Sequence, residues 1–71
     1  MTDQEIVEKL LSIKFSEKIN LWALAKMMNL STSMISRIIN EQTEIKPSTR
    51  RMLEMGFRFY DEDKEKQAKA E

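Results

Sequence analysis

The chain has 71 residues, with 12 Lys+Arg against 12 Asp+Glu, no His, no Cys, one Gly and one Pro. A chain this short makes one domain, near the lower limit at which a single apolar core suffices without staples. Lacking Cys and His, it has no disulfide framework, zinc site, common general base or thiol nucleophile, and one Gly cannot build a phosphate-cradling glycine loop; the composition points away from an enzyme and implies no cofactor.

Thr2-Asp3-Gln4-Glu5 reads as a capping box, with Thr2 as cap and Glu5 as its partner. Ile6, Val7, Leu10, Leu11 and Ile13 come next at helical spacing and predict a first helix over about 3–15. Phe15 to Ile19 is then expected to be a turn whose apolar residues cover the core. Asn20 is a good N-cap for a short second helix, Leu21 to Met28, burying Leu24, Ala25 and Met28. Asn29 stands where the chain would stop in the left-handed conformation, which Asn tolerates best after Gly. Ser31 caps a third helix from Thr32 to about Ile39. Helices of this length do not hold in isolation, so they must pack on one another.

Glu41 to Lys46 is a polar loop, and Pro47-Ser48-Thr49 opens a fourth helix. Met52, Leu53, Met55, Phe59 and Tyr60 keep a helical period past Gly56, which costs about 1 kcal/mol against Ala and permits close packing. Residues 61–71 are polar or Ala, a solvated helix extension or a frayed end. The expected fold is an all-α bundle of four to five helices: a domain over 1–60 and a charged tail over 61–71. No apolar run approaches the roughly 20 residues that span a bilayer, and the polar, acidic start is unlike a secretory signal, so the expected address is the cytoplasm.

The zero net charge hides a distribution. Residues 21–40 carry Lys26 and Arg37 and no acid, whereas residues 61–71 carry Asp61, Glu62, Asp63, Glu65 and Glu71 against Lys64, Lys66 and Lys69. From Leu21 to Arg51, Lys26, Arg37, Lys46, Arg50 and Arg51 outweigh Glu41 and Glu44. The middle of the chain avoids negative charge.

Residues 20–40 together make a helix, a three-residue turn and a second helix. Ala25 is small where the second helix must cross close to the first, and Leu30 plugs the gap between them. The stretch Leu21-Trp22-Ala23-Leu24-Ala25-Lys26-Met27-Met28-Asn29-Leu30-Ser31-Thr32-Ser33-Met34-Ile35-Ser36-Arg37-Ile38-Ile39-Asn40 resembles the helix-turn-helix of the lambda-repressor-like superfamily. That superfamily includes phage Cro and CI repressors, XRE-type regulators and the headpiece of the lactose-repressor family. Ile35 to Asn40, and Ser48 to Glu54, are most similar to the lactose-repressor end of it. The family's usual Gly is Asn29 here, a mild departure. The resemblance covers about residues 20–55 and implies a sequence-specific DNA-binding transcriptional regulator in a bacterial cytoplasm, its third helix in the major groove.

The residues of that helix support the same expectation. Met34, Ile35, Ile38 and Ile39 form one face; Thr32, Ser33, Ser36, Arg37 and Asn40 form the other. Hydroxyls, an amide and one guanidinium hydrogen-bond to base edges and phosphates without repelling DNA. Thr32, Ser33, Ser36 and Arg37 are the expected base contacts, Arg37 bridging the two major-groove acceptors of guanine. Asn20, Lys26, Asn40, Lys46, Ser48, Thr49 and Arg50 are expected at phosphates, although Ser31, Asn20 and Asn40 read first as helix-boundary residues.

A domain this small makes few contacts, so a homodimer on two half-sites is expected, its surface drawn from Phe57, Phe59, Tyr60 and the C-terminal residues beyond them. The zero net charge, Trp22 and the Met content keep a second expectation open: a modulator that binds a partner repressor protein through the helix-turn-helix face. Trp22, Met27, Phe57 and Tyr60 are its candidate contacts. No metal ligand set and no membrane partner is expected.

Overall fold

The computed structural model describes residues 1–70, with side chains through Gln67; Glu71, the end of the expected tail, lies outside the described residues. The described chain is four helices: α1 (Asp3–Glu17), α2 (Leu21–Met27), α3 (Thr32–Ile39) and α4 (Pro47–Ala70). The all-α expectation holds, with four helices rather than five.

Each start is set by the residue that the sequence marks. Thr2 accepts the Glu5 amide while the Glu5 carboxylate accepts the Thr2 amide, which closes the capping box. Asn20 accepts the Ala23 amide at 2.9 Å and Ser31 the Met34 amide at 3.2 Å. These bonds satisfy amides that the first helical turn leaves unpaired. The three ends share one device. Lys18, Asn29 and Glu41 adopt φ of 54°, 59° and 56°. Beyond each, the next amide reaches five residues back: Ile19 to Lys14, Leu30 to Ala25 and Gln42 to Arg37. This is the Schellman closure, usually built on Gly; here Asn29 alone is a residue that tolerates the conformation well.

The core draws on every helix: Ile6, Val7, Leu10 and Ile13 of α1, Leu24 and Ala25 of α2 with its cap Met28, Ile35 and Ile38 of α3, and Leu53 and Phe57 of α4. Ile45, in the polar loop, completes it at 8% exposure. No polar side chain is buried among the described residues.

Two expectations need correction. α1 continues through Phe15, Ser16 and Glu17 instead of turning at Phe15. At about 100° per residue Phe15 falls opposite the face of Ile6, Leu10 and Ile13. It is 88% exposed and covers nothing; half-buried Ile19 does that work. Phe57, expected on a partner surface, is 4% exposed and belongs to the core. α4 has two apolar stripes, and the one through Leu53 and Phe57 faces inward.

The expected tail is helical through Ala70. Lys9 of α1 pairs with Asp61 at 3.2 Å, and Glu17 accepts from Lys64 at 2.6 Å and from the Tyr60 hydroxyl at 2.8 Å. These contacts bind α4 to α1 one to two turns beyond Phe57.

Candidate functional site

α3 rests on the core through Ile35 and Ile38, which turns Thr32, Ser33, Ser36 and Arg37 to the outside. These four line one open cleft of about 420 Å³, together with Leu21 at the start of α2 and Gln42 just past α3. Thr32, Ser33 and Arg37 are exposed and Ser36 is half-buried. The cleft contains hydroxyls, an amide and a guanidinium, and no carboxylate lines it. Arg37 makes no side-chain hydrogen bond or ion pair among the described residues, whose salt bridges are those of Lys9, Arg50 and Lys64. A guanidinium with five donors and no internal partner is available to an external planar acceptor.

Gln42 escapes a reading of helix faces because it lies in the loop. The Schellman closure brings it back: its amide donates to the Arg37 carbonyl at 2.9 Å, which sets its side chain beside α3. The only sequence signal is an amide side chain directly after the helix end.

The remaining candidates divide. Lys46 and Ser48 are exposed where the loop meets α4, and Thr49 is half-buried. Asn20 is used as the α2 cap. Asn40 donates from Nδ2 to the Ser36 carbonyl at 2.9 Å and lies 3.4 Å from Ser36 Oγ, so it closes α3 and orients a hydroxyl of the cleft. The Lys26 ammonium sits over the Trp22 ring, 4.5 Å from its centre, a cation–π contact. Trp22 is 58% exposed, so it forms part of the surface with Lys26 at its side. Arg50 is already engaged: its guanidinium pairs with the Asp3 carboxylate and donates to the Met1 carbonyl.

Two candidates on the C-terminal side are fixed differently. Tyr60 is half-buried and donates to Glu17. Met27, 40% exposed, lines a groove with Met52, Met55, Gly56 and Phe59 where α4 passes the end of α2. Among the described residues no group of three or more Asp or Glu is placed to hold a metal ion, and no helix is long and apolar enough to cross a membrane.

Comparison of the chain with protein-family models, with curated proteins and with solved structures gave no match. A functional reading therefore rests on the cleft itself.

Proposed function

We propose that the chain is a small sequence-specific DNA-binding transcriptional regulator that lays α3 in the major groove. The observation that carries this reading is the α3 cleft, where Thr32, Ser33, Ser36, Arg37 and Gln42 converge without a carboxylate in a chain that is one-third charged. A solvated helix face in such a chain would ordinarily carry Glu and Lys. Short hydroxyls and one uncommitted guanidinium suit base edges, where Arg bridges guanine O6 and N7 and an amide pairs with adenine. The resemblance of residues 20–55 to the lambda-repressor-like motif supports the same assignment.

In this reading Thr32 and Ser33, at the start of α3, reach deepest into the groove, with Arg37 one turn further on. Lys26, on α2, and Lys46, just ahead of α4, serve as phosphate ligands, with Ser48 and Thr49 at the start of α4. Asn20 and Asn40 support the helices and lend at most a spare hydrogen bond to the backbone. The site is cytoplasmic in a bacterial host, and no catalytic step or cofactor is involved.

A binding selection on random duplex DNA, followed by gel-shift titration, tests the proposal. An enriched sequence is expected, with affinity that falls steeply as salt rises. Arg37→Ala should relax the preference at one base pair by about 1–3 kcal/mol of discrimination while leaving the helical signal unchanged. No enriched sequence at low salt would overturn the reading. Trp22 favours one alternative: at 58% exposure on α2, it suits a modulator that binds a partner repressor through the helix-turn-helix face. That protein would show no DNA affinity alone and a stoichiometric complex with its partner.

A further inference from the structure

Apart from Trp22 and three residues of the first fifteen, the exposed large apolar side chains lie together. Met27, Met52, Met55 and Phe59 are 40, 36, 56 and 61% exposed and line one groove of about 230 Å³ over Gly56. Met52, Met55 and Phe59 recur at i, i+3 and i+7, a complete helical stripe rotated away from the core stripe of Leu53 and Phe57. A helix that carries two apolar stripes and buries one has a face left to cover.

The charges beside the stripe indicate what covers it. Arg51, Glu54 and Arg58 line a cleft with Met55 on the outer flank of α4, and Glu62 continues that flank. None of these four makes a salt bridge among the described residues, although Lys9, Arg50 and Lys64 all do so nearby. The order along the flank is Arg, Glu, Arg, Glu. Reversed upon itself, this order is self-complementary.

We infer that α4 docks antiparallel on α4 of a second copy of this chain, about a two-fold axis near Met55 and Gly56. In that register Met52 faces Phe59 of the second copy, and the two Met55 side chains meet at the axis. Antiparallel helices related this way bring the same flank of each helix together. Arg51 then lies beside Glu62 of the second copy, and Glu54 beside its Arg58, each pair occurring twice by symmetry. A parallel two-fold arrangement brings opposite flanks together and leaves Arg51, Glu54, Arg58 and Glu62 without these partners, which disfavours it. In this antiparallel register residues 61–64 of one copy lie along the first turn of α4, residues 47–50, of the other.

The inference does not need the chain to bind DNA, and its test is separate. Sedimentation equilibrium of the full chain across a wide concentration range should show mass rising from the 8.4 kDa monomer toward twice that value. Met55→Glu should leave a monomer with an unchanged helical signal, because Met55 is outside the core. Arg51→Glu and Glu62→Arg should each weaken self-association several-fold, and Arg51→Glu with Glu62→Arg should restore it, because the reversed pair is again complementary. A monomer at every concentration overturns the proposal, as does capture of this face by a different protein with no self-association. A dimer indifferent to Met55→Glu, or a double variant no tighter than either single, overturns the interface and its register. A chain that dimerises in this way but selects no DNA sequence leaves the inference standing and removes the proposed function.

Discussion

Gly56→Ala is a mutation for which helix propensity and packing give opposite signs. Gly56 is the chain's only Gly and lies in the interior of α4, where Ala is favoured by about 1 kcal/mol. On propensity alone the exchange stabilises. A Cβ at this position, however, would lie 2.6 Å from Met28 Sδ and 3.5 Å from both Met28 Cα and Cε. Non-bonded heavy atoms settle at about 3.5–4.0 Å, so the thioether must retreat by about 1 Å. Met28 is 1% exposed and belongs to the core cluster. Forcing such a shift costs about 1–3 kcal/mol. The packing cost wins, and Gly56→Ala should lose about 1 kcal/mol net, which is roughly 4–8 °C in Tm for a domain of this size. Thermal and urea unfolding followed by circular dichroism measure it. In a Met28→Val background, where neither Sδ nor Cε is present, the same change should become neutral or stabilising, and the double-mutant cycle isolates the contact. A higher Tm for Gly56→Ala in the natural sequence, or equal effects in both backgrounds, would refute the close approach of α4 to the end of α2.

Glu41 closes α3 at φ 56°, a conformation that costs a residue with a Cβ about 1–2 kcal/mol. Glu41→Gly should therefore raise stability by about 0.5–1 kcal/mol in urea unfolding, whereas Asn29→Gly should change it by only a few tenths. The Lys64 ammonium, with the Tyr60 hydroxyl second, holds the Glu17 carboxyl below the ordinary carboxylate range, and Glu17 in turn raises Lys64. The contribution of Glu17 is therefore complete above its unfolded value of about 4.3 and disappears as pH falls through the lower folded value. That of Lys64 is complete below its unfolded value of about 10.4 and disappears as pH rises through the higher folded one. Helical chemical shifts of residues 61–67 should decline on acidification before those of Leu53 and Phe57, and an identical acid profile in Glu17→Gln would refute this clamp. For Arg50, replacing the Asp3 carboxylate by a DNA phosphate predicts that Asp3→Asn tightens DNA binding and that Arg50→Ala lowers the salt slope by about 1; an unchanged slope would show that Arg50 is purely structural.

Local chemistry made much of this fold legible. Thr2 and Glu5, Asn20 and Ser31 each advertise a helix start by a side chain that bonds the backbone three residues on, and the structure uses all of them. Asn29 advertises an end because Asn tolerates the left-handed backbone. Lys18 and Glu41 adopt the same backbone as Asn29, but nothing in a Lys or Glu side chain favours it, so tertiary packing imposes the turn and the sequence shows no mark. That is why the spacing of apolar residues ends α1 near Phe15, short of its true end. α4 is opaque for a different reason. Met52, Leu53, Met55, Phe57, Phe59 and Tyr60 surround most of the helix, and periodicity cannot say which apolar side meets α2. Only the packed structure settles it, with Leu53 and Phe57 buried and Met55 and Phe59 exposed. Ile45 is hidden by its polar neighbours from Glu41 to Lys46. Of the α3 cleft, Thr32, Ser33, Ser36 and Arg37 are legible from helical spacing, while Gln42 depends on a loop closure that spacing does not describe.

The balance of 12 acids and 12 bases acquires a different meaning once the partners are known. Three acids, Asp3, Glu17 and Asp61, pair with Arg50, Lys64 and Lys9, and all three pairs tie α1 to α4. These charges serve the joint between the first and last helices and cancel one another locally. Lys26 and Arg37, on α2 and α3, face no carboxylate within ion-pair distance among the described residues. No carboxylate lines the α3 cleft, so Arg37 is the charge that meets a ligand there, and charges beyond a Debye length of about 8–10 Å are largely screened. With so few cations, non-specific attraction to a polyanion must be weak. A regulator built this way would depend on base contacts through Arg37 and on two copies acting together. Halving the number of bound copies with Met55→Glu should then cost far more operator affinity than removing any one phosphate ligand. A Met55→Glu monomer that binds the selected operator as tightly as the natural chain would show that one copy suffices and would break the link between the α4 face and the α3 cleft.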